Sequence, residues 1–182
     1  AGKTGFGDRY FGGSGYDWAI FKFDPIGVNI DISLRFFDQP TVPGSTTPLV
    51  RFDIVEGISG SAKADVLKGD SLTTFHNAGA TGSTLTQIGL INGLQTLLNQ
   101  AYVGQIANGE FTPGVFASAG NITSFDTGNI ILGGKGGDMM EGRGGGDIID
   151  GDRWLNVRIG VFQNSDGSGP QIATFDTMTN LT

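Results

Sequence analysis

The stretch from Asn129 to Asp152 reads N-I-I-L-G-G-K-G-G-D-M-M-E-G-R-G-G-G-D-I-I-D-G-D. Its glycines restart at Gly133, Gly142 and Gly151, nine residues apart. Asp138 and Asp147 keep the same step, and Asn129 holds the equivalent place one unit earlier. Each unit follows G-G-x-G-x-D-x-U-x, with U apolar at Ile131, Met140 and Ile149, while Arg143 replaces the second glycine of its unit. So short a period leaves room for a six-residue turn and a three-residue strand, and such strands are stable only when stacked on neighbouring units. The expected fold class is mainly all-β: a parallel β-roll with strand and hairpin inserts and one short helix.

A turn of this kind needs positive φ at several positions, which glycine adopts at little steric cost. It also turns carbonyl oxygens outward, from Gly133, Gly134 and Gly136 in one unit and from Gly142, Gly144 and Gly145 in the next. Asp138 and Asp147 add carboxylates. An all-oxygen set suits calcium, which takes six to eight such ligands. Successive turns fall on alternating sides, so residues that share an ion stand about eighteen apart. Asn129 and Asp147 meet that condition. Asp138 needs a partner from elsewhere, and the start of the chain offers one. Gly12 to Ile20 is a full repeat with Gly12, Gly13 and Gly15 in the turn and Asp17 in the ligand place, and Asp8 lies nine residues before Asp17. The opening unit is thus cut within its turn, and there is neither a start methionine nor an apolar run of membrane length, so a fragment of a longer polypeptide is expected.

The 182 residues can bury one sizeable core and are read as a single domain, 1–182, with inserts at about 21–58 and 71–127. The 32 glycines follow no collagen period. There are no cysteines, which excludes disulfides and thiolate metal sites and leaves calcium as a means of cross-linking. A net charge of −7 argues against nucleic acid or an anionic membrane as partner. Without cations the clustered Asp residues repel, so the glycine-rich parts are expected to be loose until calcium arrives.

Between the repeats, Val28, Ile30, Ile32 and Leu34 alternate with polar residues, as do Val50, Phe52 and Ile54, and both runs read as half-buried strands. Residues 38–48 form a Pro/Ser/Thr loop. Gly60 to Lys68 is a degenerate repeat with Asp65 in the ligand place and Ser61, Ala62 and Lys63 where glycines are thinned out. Ile88, Ile91, Leu94 and Leu98, widened by Leu90 and Leu97, predict a helix over 86–100 that covers an open end or face of the roll, although Gly89 and Gly93 weaken it. Residues 101–128 read as loop and short strand with Phe111, Phe116 and Phe125 as core anchors. Leu155 to Val161 alternates as a strand, and a hairpin at about 155–176 is expected to cap the roll or lead onward.

G-G-S-G-Y-D-W-A, then D-P-I-G-V-N-I-D-I, then V-E-G-I-S-G-S-A-K-A-D-V-L-K-G-D resembles the repeats-in-toxin (RTX, haemolysin-type) family. With Gly133 to Asp152 the resemblance covers the ends and first third of the chain. More narrowly, G-R-G-G-G-D-I-I-D-G-D-R-W-L-N-V-R-I is similar to the calcium-binding region of large secreted bacterial proteins that carry an animal-type haem peroxidase domain, some implicated in manganese oxidation. The family implies type I secretion to the cell surface or medium, folding on external calcium, and ligation of several Ca ions by loop carbonyls plus Asp8, Asp17, Asp65, Asp138 and Asp147. Arg143, Ser61 and Lys63 depart from the pattern.

Other residues carry plainer readings. His76, the only histidine, reads as a loop residue, and Asp24-Pro25 as a turn. Asp150 and Asp152, flanking Gly151, either add a carboxylate to a terminal ion or form a solvated turn. Trp18 and Trp154 read as packing aromatics. No nucleophile–base pair or phosphate loop is present. The expectation is a calcium-binding structural module that is not itself an enzyme and whose partners are calcium and the rest of its parent chain. The alternative is an accessory metal-binding part of a secreted haem peroxidase or manganese oxidase.

Overall fold

The computed structural model describes residues 8–34, 50–71, 84–110 and 114–175. These are mainly strand: β1 (Asp8–Phe11), β2 (Trp18–Ile20), β3 (Asn29–Asp31), β4 (Val50–Asp53), β5 (Gly57–Ser59) and β6 (Val66–Lys68) precede two short helices, α1 (Leu94–Ala101) and α2 (Val103–Asn108). Then follow β7 (Val115–Ser118), β8 (Asn121–Phe125), β9 (Ile130–Leu132), β10 (Met139–Glu141), β11 (Ile148–Asp150), β12 (Ile159–Phe162) and β13 (Gln171–Phe175). The three-residue strands stack in parallel. One sheet runs β11-β9-β5-β2, the other β10-β6-β3, and β1 pairs with β4 beside them. From β2 to β3, β5 to β6, and β9 to β10 to β11, the chain passes back and forth between the two sheets.

Only the middle residue of a three-residue strand faces the opposite sheet, because side chains alternate along a strand. In the four-stranded sheet the register aligns Ala19, Ile58, Ile131 and Ile149. In the three-stranded sheet it aligns Ile30, Leu67 and Met140. Ala19, Ile58, Ile131, Ile30 and Leu67 are buried together in one core with Phe21 and Phe52. Ile149 lies on the edge strand β11 and is 46 % exposed.

The flanking residues of the same strands face outward. Trp18, Ile20, Ile130, Leu132 and Ile148 form the floor of a second core, roofed by α1 and the β7–β8 hairpin through Leu94, Leu97, Leu98, Val115, Ile122 and Phe125. Burying each such side chain contributes about 2 kcal/mol, so this roof is a main source of stability for the four-stranded sheet. Gly57 sits on that face because a Cβ there would run into the Trp18 ring.

The helical expectation over 86–100 is met in pieces. A 3-10 turn covers Ile88–Leu90, and the chain then takes a positive φ of 83° at Gly93 before α1 begins. That left-handed residue separates the two turns, and α1 buries Leu94, Leu97 and Leu98 as the spacing requires. Beyond it the reading of 101–128 needs correction: α2 occupies Val103–Asn108, and β7–β8 form a hairpin around Ala119 and Gly120, both at positive φ (52° and 79°). That is the two-residue turn whose twist suits a hairpin. Phe125 is fully buried, whereas Phe116 is 58 % exposed and anchors nothing; Phe111 lies outside the described residues.

The C-terminal hairpin forms as β12–β13, but its first strand starts at Ile159 rather than Leu155. Leu155 instead enters the second core and donates its N–H to Ser59 Oγ (2.8 Å). No residue of β12 or β13 belongs to either buried core. Within 21–58, β3 and β5 are full members of the two sheets rather than parts of an excursion. The loop at 38–48 and His76 lie outside the described residues.

The connections are unequal on the two sides of the molecule. On one side, residues 21–28, 60–65 and 133–138 pass from the four-stranded to the three-stranded sheet in tight turns. On the other, only 142–147 is tight; the links from β3 to β5 and from β6 to β9 are long, the first carrying β4 and the second α1, α2, β7 and β8. The long excursions therefore grow from one edge.

Candidate metal-binding turns

Three turns of the repeat share a backbone signature. Their second and fourth residues have positive φ: Gly13 and Gly15 (92° and 114°), Gly134 and Gly136 (100° and 129°), and Arg143 and Gly145 (73° and 120°). Glycine is the residue for which this conformation is cheap. Arg143 adopts it at a cost of about 1 kcal/mol. Ser61 and Lys63 in the degenerate turn are not at positive φ, so that turn has a different backbone. The first residue of the turn is glycine for another reason. A Cβ on Gly133 would lie 2.5 Å from Asp138 Oδ2 and 2.7 Å from the Gly151 carbonyl oxygen. Gly60 is crowded in the same way by Asp65 Oδ2 and the Gly133 carbonyl. Carboxylate and carbonyl oxygens thus converge over the opening glycines Gly133 and Gly60.

The repeat acids form two ladders, one on each side. Each acid immediately precedes a strand, and the carboxylates of Asp65, Asp138, Glu56 and Asp147 accept the backbone N–H of the equivalent residue in the neighbouring coil. On the tight side, Val28 N donates to Asp65 Oδ1 (2.8 Å) and Asp65 N donates to Asp138 Oδ1 (2.9 Å). On the other side, Asp17 N donates to Glu56 Oε2 (2.8 Å), Asn129 Nδ2 donates to the Glu56 carbonyl (3.1 Å), and Asn129 N donates to Asp147 Oδ1 (2.8 Å). The long excursion from β6 to β9 is closed so that its ends imitate a repeat turn. Gly144 N donates to the Asp70 carbonyl (3.2 Å), Gly146 N to the Thr127 carbonyl (2.7 Å), and Asp70 N to Asn129 Oδ1 (2.9 Å).

The ladder places the sequence-derived residues as follows. Asn129 and Asp147 share one side, as their spacing of eighteen requires. Asp138 is partnered by Asp65 of the degenerate repeat, not by the opening units; Asp17 joins the opposite ladder through Glu56. Glu56 was not singled out, although it stands nine residues before Asp65, the repeat's own step, and that was the available signal. Asp65 is 1 % exposed and spends both oxygens inside its own turn, on Ser61 N (2.7 Å) and Ser61 Oγ (2.9 Å), besides Val28 N. Asp150 stands apart from both ladders. It accepts from the Asp152 and Arg153 backbones (3.0 and 3.1 Å) and pairs with Arg153 Nε (3.1 Å), while Asp152 is exposed. The Asp8 side chain lies outside the described residues. Trp18 packs against the second core, and Trp154 is 38 % exposed beneath Lys135 (5.6 Å from Nζ to ring centroid).

Asp17 Oδ2 and Asp138 Oδ2, one on each ladder, are buried yet accept no hydrogen bond. A buried carboxylate oxygen without a donor is costly unless a cation meets it. Burial pushes the Asp17 carboxyl above its usual range. Burial does the same to Asp147, opposed by the Asn129 N–H and reinforced by the charge of Asp70. Among the described residues no three His, Asp or Glu side chains converge on one point, so a cage of side chains is not what the turns offer. The turns of Asp17 and Asp138 each offer one carboxylate oxygen near a carbonyl oxygen, a hard donor set that fits calcium. Comparison with protein-family models, with curated proteins and with solved structures finds no match for this chain.

Proposed function

We propose that this chain is a calcium-binding structural module, a parallel β-roll whose glycine turns hold several calcium ions between stacked coils. The observation that carries the reading is Asp138: Oδ1 is fixed by the Asp65 N–H, and Oδ2 is buried, without a donor, facing the same point as the Gly151 carbonyl. The residues that would hold an ion on that side are Asp138 with the carbonyls of its own and neighbouring turns. On the other side they are Asp147 with Asn129, and Asp17. The ion supplies positive charge to carboxylates that burial holds close together, and it ties one coil to the next.

On this reading the module serves a larger exported polypeptide, staying loose where calcium is scarce and stiffening where it is plentiful. It performs no chemistry of its own, because its carboxylates act as ligands and as backbone acceptors. The test is calorimetric titration of the chelator-stripped protein with calcium, alongside Asp138→Asn. The wild type is expected to bind several ions and the variant at least one fewer. Absence of binding by the wild type at millimolar calcium would sink the reading.

A further inference from the structure

Of the three turns that share the left-handed signature, the one that breaks the glycine pattern also contains a cation of the protein's own. Arg143 lies at the second position of its turn, where the two matching turns have Gly13 and Gly134. Its guanidinium reaches across the neighbouring coil to the end of β3. Nη1 donates to Asp31 Oδ1 (2.8 Å) and Nη2 to Asp31 Oδ2 (2.6 Å), a two-point fork. Nη1 also donates to Ser33 Oγ (2.7 Å) and to the Gly69 carbonyl (3.0 Å), and Nε lies 3.5 Å from Glu141 Oε1. The guanidinium is therefore seated among two carboxylates, a hydroxyl and a turn carbonyl contributed by three successive coils. Every one of these donors is a hard oxygen, the kind a calcium ion takes. Lys68 Nζ lies 3.9 Å from the other Glu141 oxygen, Oε2.

We propose that Arg143 is a resident cation: its guanidinium fills a nest built from Asp31, Ser33, Gly69 and Glu141 that takes a calcium ion once the arginine is removed. This deepens the proposed function and rests on it for the identity of the ion. It accounts for a left-handed arginine at a glycine position, since the backbone conformation directs the side chain along the stack. It also fixes the charge at this end of the stack independently of the external calcium level.

The test counts calcium by equilibrium dialysis of the chelator-stripped full chain, comparing wild type with Arg143→Gly, Arg143→Lys and the double variant Asp31→Asn/Arg143→Gly. Arg143→Gly is expected to bind one ion more per chain than wild type. Arg143→Lys, which keeps a charge there, is expected to keep the wild-type number, and the double variant to lose the ion gained. An unchanged number in Arg143→Gly overturns the proposal. So does an Arg143→Gly chain that stays unfolded by circular dichroism in millimolar calcium, because the incoming ion should restore the tie. A wild type that binds no calcium beside an Arg143→Gly that binds one would refute the proposed function and leave this inference standing. A wild type that binds several, with no gain in the variant, would do the reverse.

Discussion

Asp65 and Asp138 occupy equivalent places in neighbouring coils yet are held differently, and that difference predicts different behaviour. Asp65 is buried with both oxygens hydrogen-bonded to Ser61 and Val28. Asp65→Ala leaves those buried N–H groups without an acceptor and should lower unfolding stability by about 3 kcal/mol in urea titrations, with or without calcium. Asp138→Asn keeps the acceptor for Asp65 N and alters the oxygen that has no donor. It should cost under about 1 kcal/mol in chelator and show its effect only when calcium is added. Two other carboxylates give pH dependences of opposite sign. At Asp31 burial raises the carboxyl, but the Arg143 fork and the Ser33 hydroxyl outweigh it and hold it below the usual range. Its contribution is thus present above the unfolded value and lost as pH falls through the folded one, so Arg143→Ala should remove an acid-labile part of the stability. Asp147 is raised, so in chelator the folded state loses stability as pH rises from the ordinary aspartate range through the raised value. Unfolding curves across that range, with and without calcium, check this: calcium should abolish the loss. The repeat acids were legible because the nine-residue step marks them. The Arg143–Asp31 tie was not, since nothing in the period links residues 112 apart.

At the scale of the turn, the left-handed backbone of Gly134 and Gly136 explains which glycines the repeat must keep. Gly134→Ala would place a Cβ against the Ser61 carbonyl at an unfavourable φ. Thermal unfolding should show a loss of at least about 1 kcal/mol, larger than at Gly137, where a Cβ meets nothing within 4 Å. At the scale of the helix, α1 is held by its buried face and not by caps, since its N-cap residue is Gly93 with no side-chain bond. Leu98→Ala should therefore cost about 3 kcal/mol in chemical denaturation and leave the number of bound calcium ions unchanged. The spacing of Leu94 and Leu98 was enough to find this helix. Gly93 marked a weak point, but its left-handed break, the second helix and the pairing of β7 with β8 were not legible, because they depend on glycine conformation and on the sheet face that the segment covers. Phe116 shows the limit of the reading: an aromatic in a strand faces solvent or core according to register, which composition does not specify.

Across the whole molecule, repeats from both ends of the chain join in the same two sheets: β2 and β5 from the first part pair onward to β9 and β11 from the second. The period made the mainly-β class and the parallel stacking legible, since a three-residue strand has no stable existence alone. It did not show that the degenerate segment Gly60–Lys68 is the middle of the stack, or that the long excursions leave from one edge, because both depend on which turns face which. Two ladders of carboxylates running through such a stack carry a net negative charge, and the chain as a whole carries −7. Folding and cation binding should therefore be one transition. The most direct measurement is a calcium titration of the chelator-stripped protein followed by circular dichroism, with magnesium in a parallel series. The account predicts a cooperative gain of β signal with calcium and none with magnesium. A stripped protein that already shows the full signal and does not respond to calcium would contradict it, leaving the glycine turns as a scaffold alone.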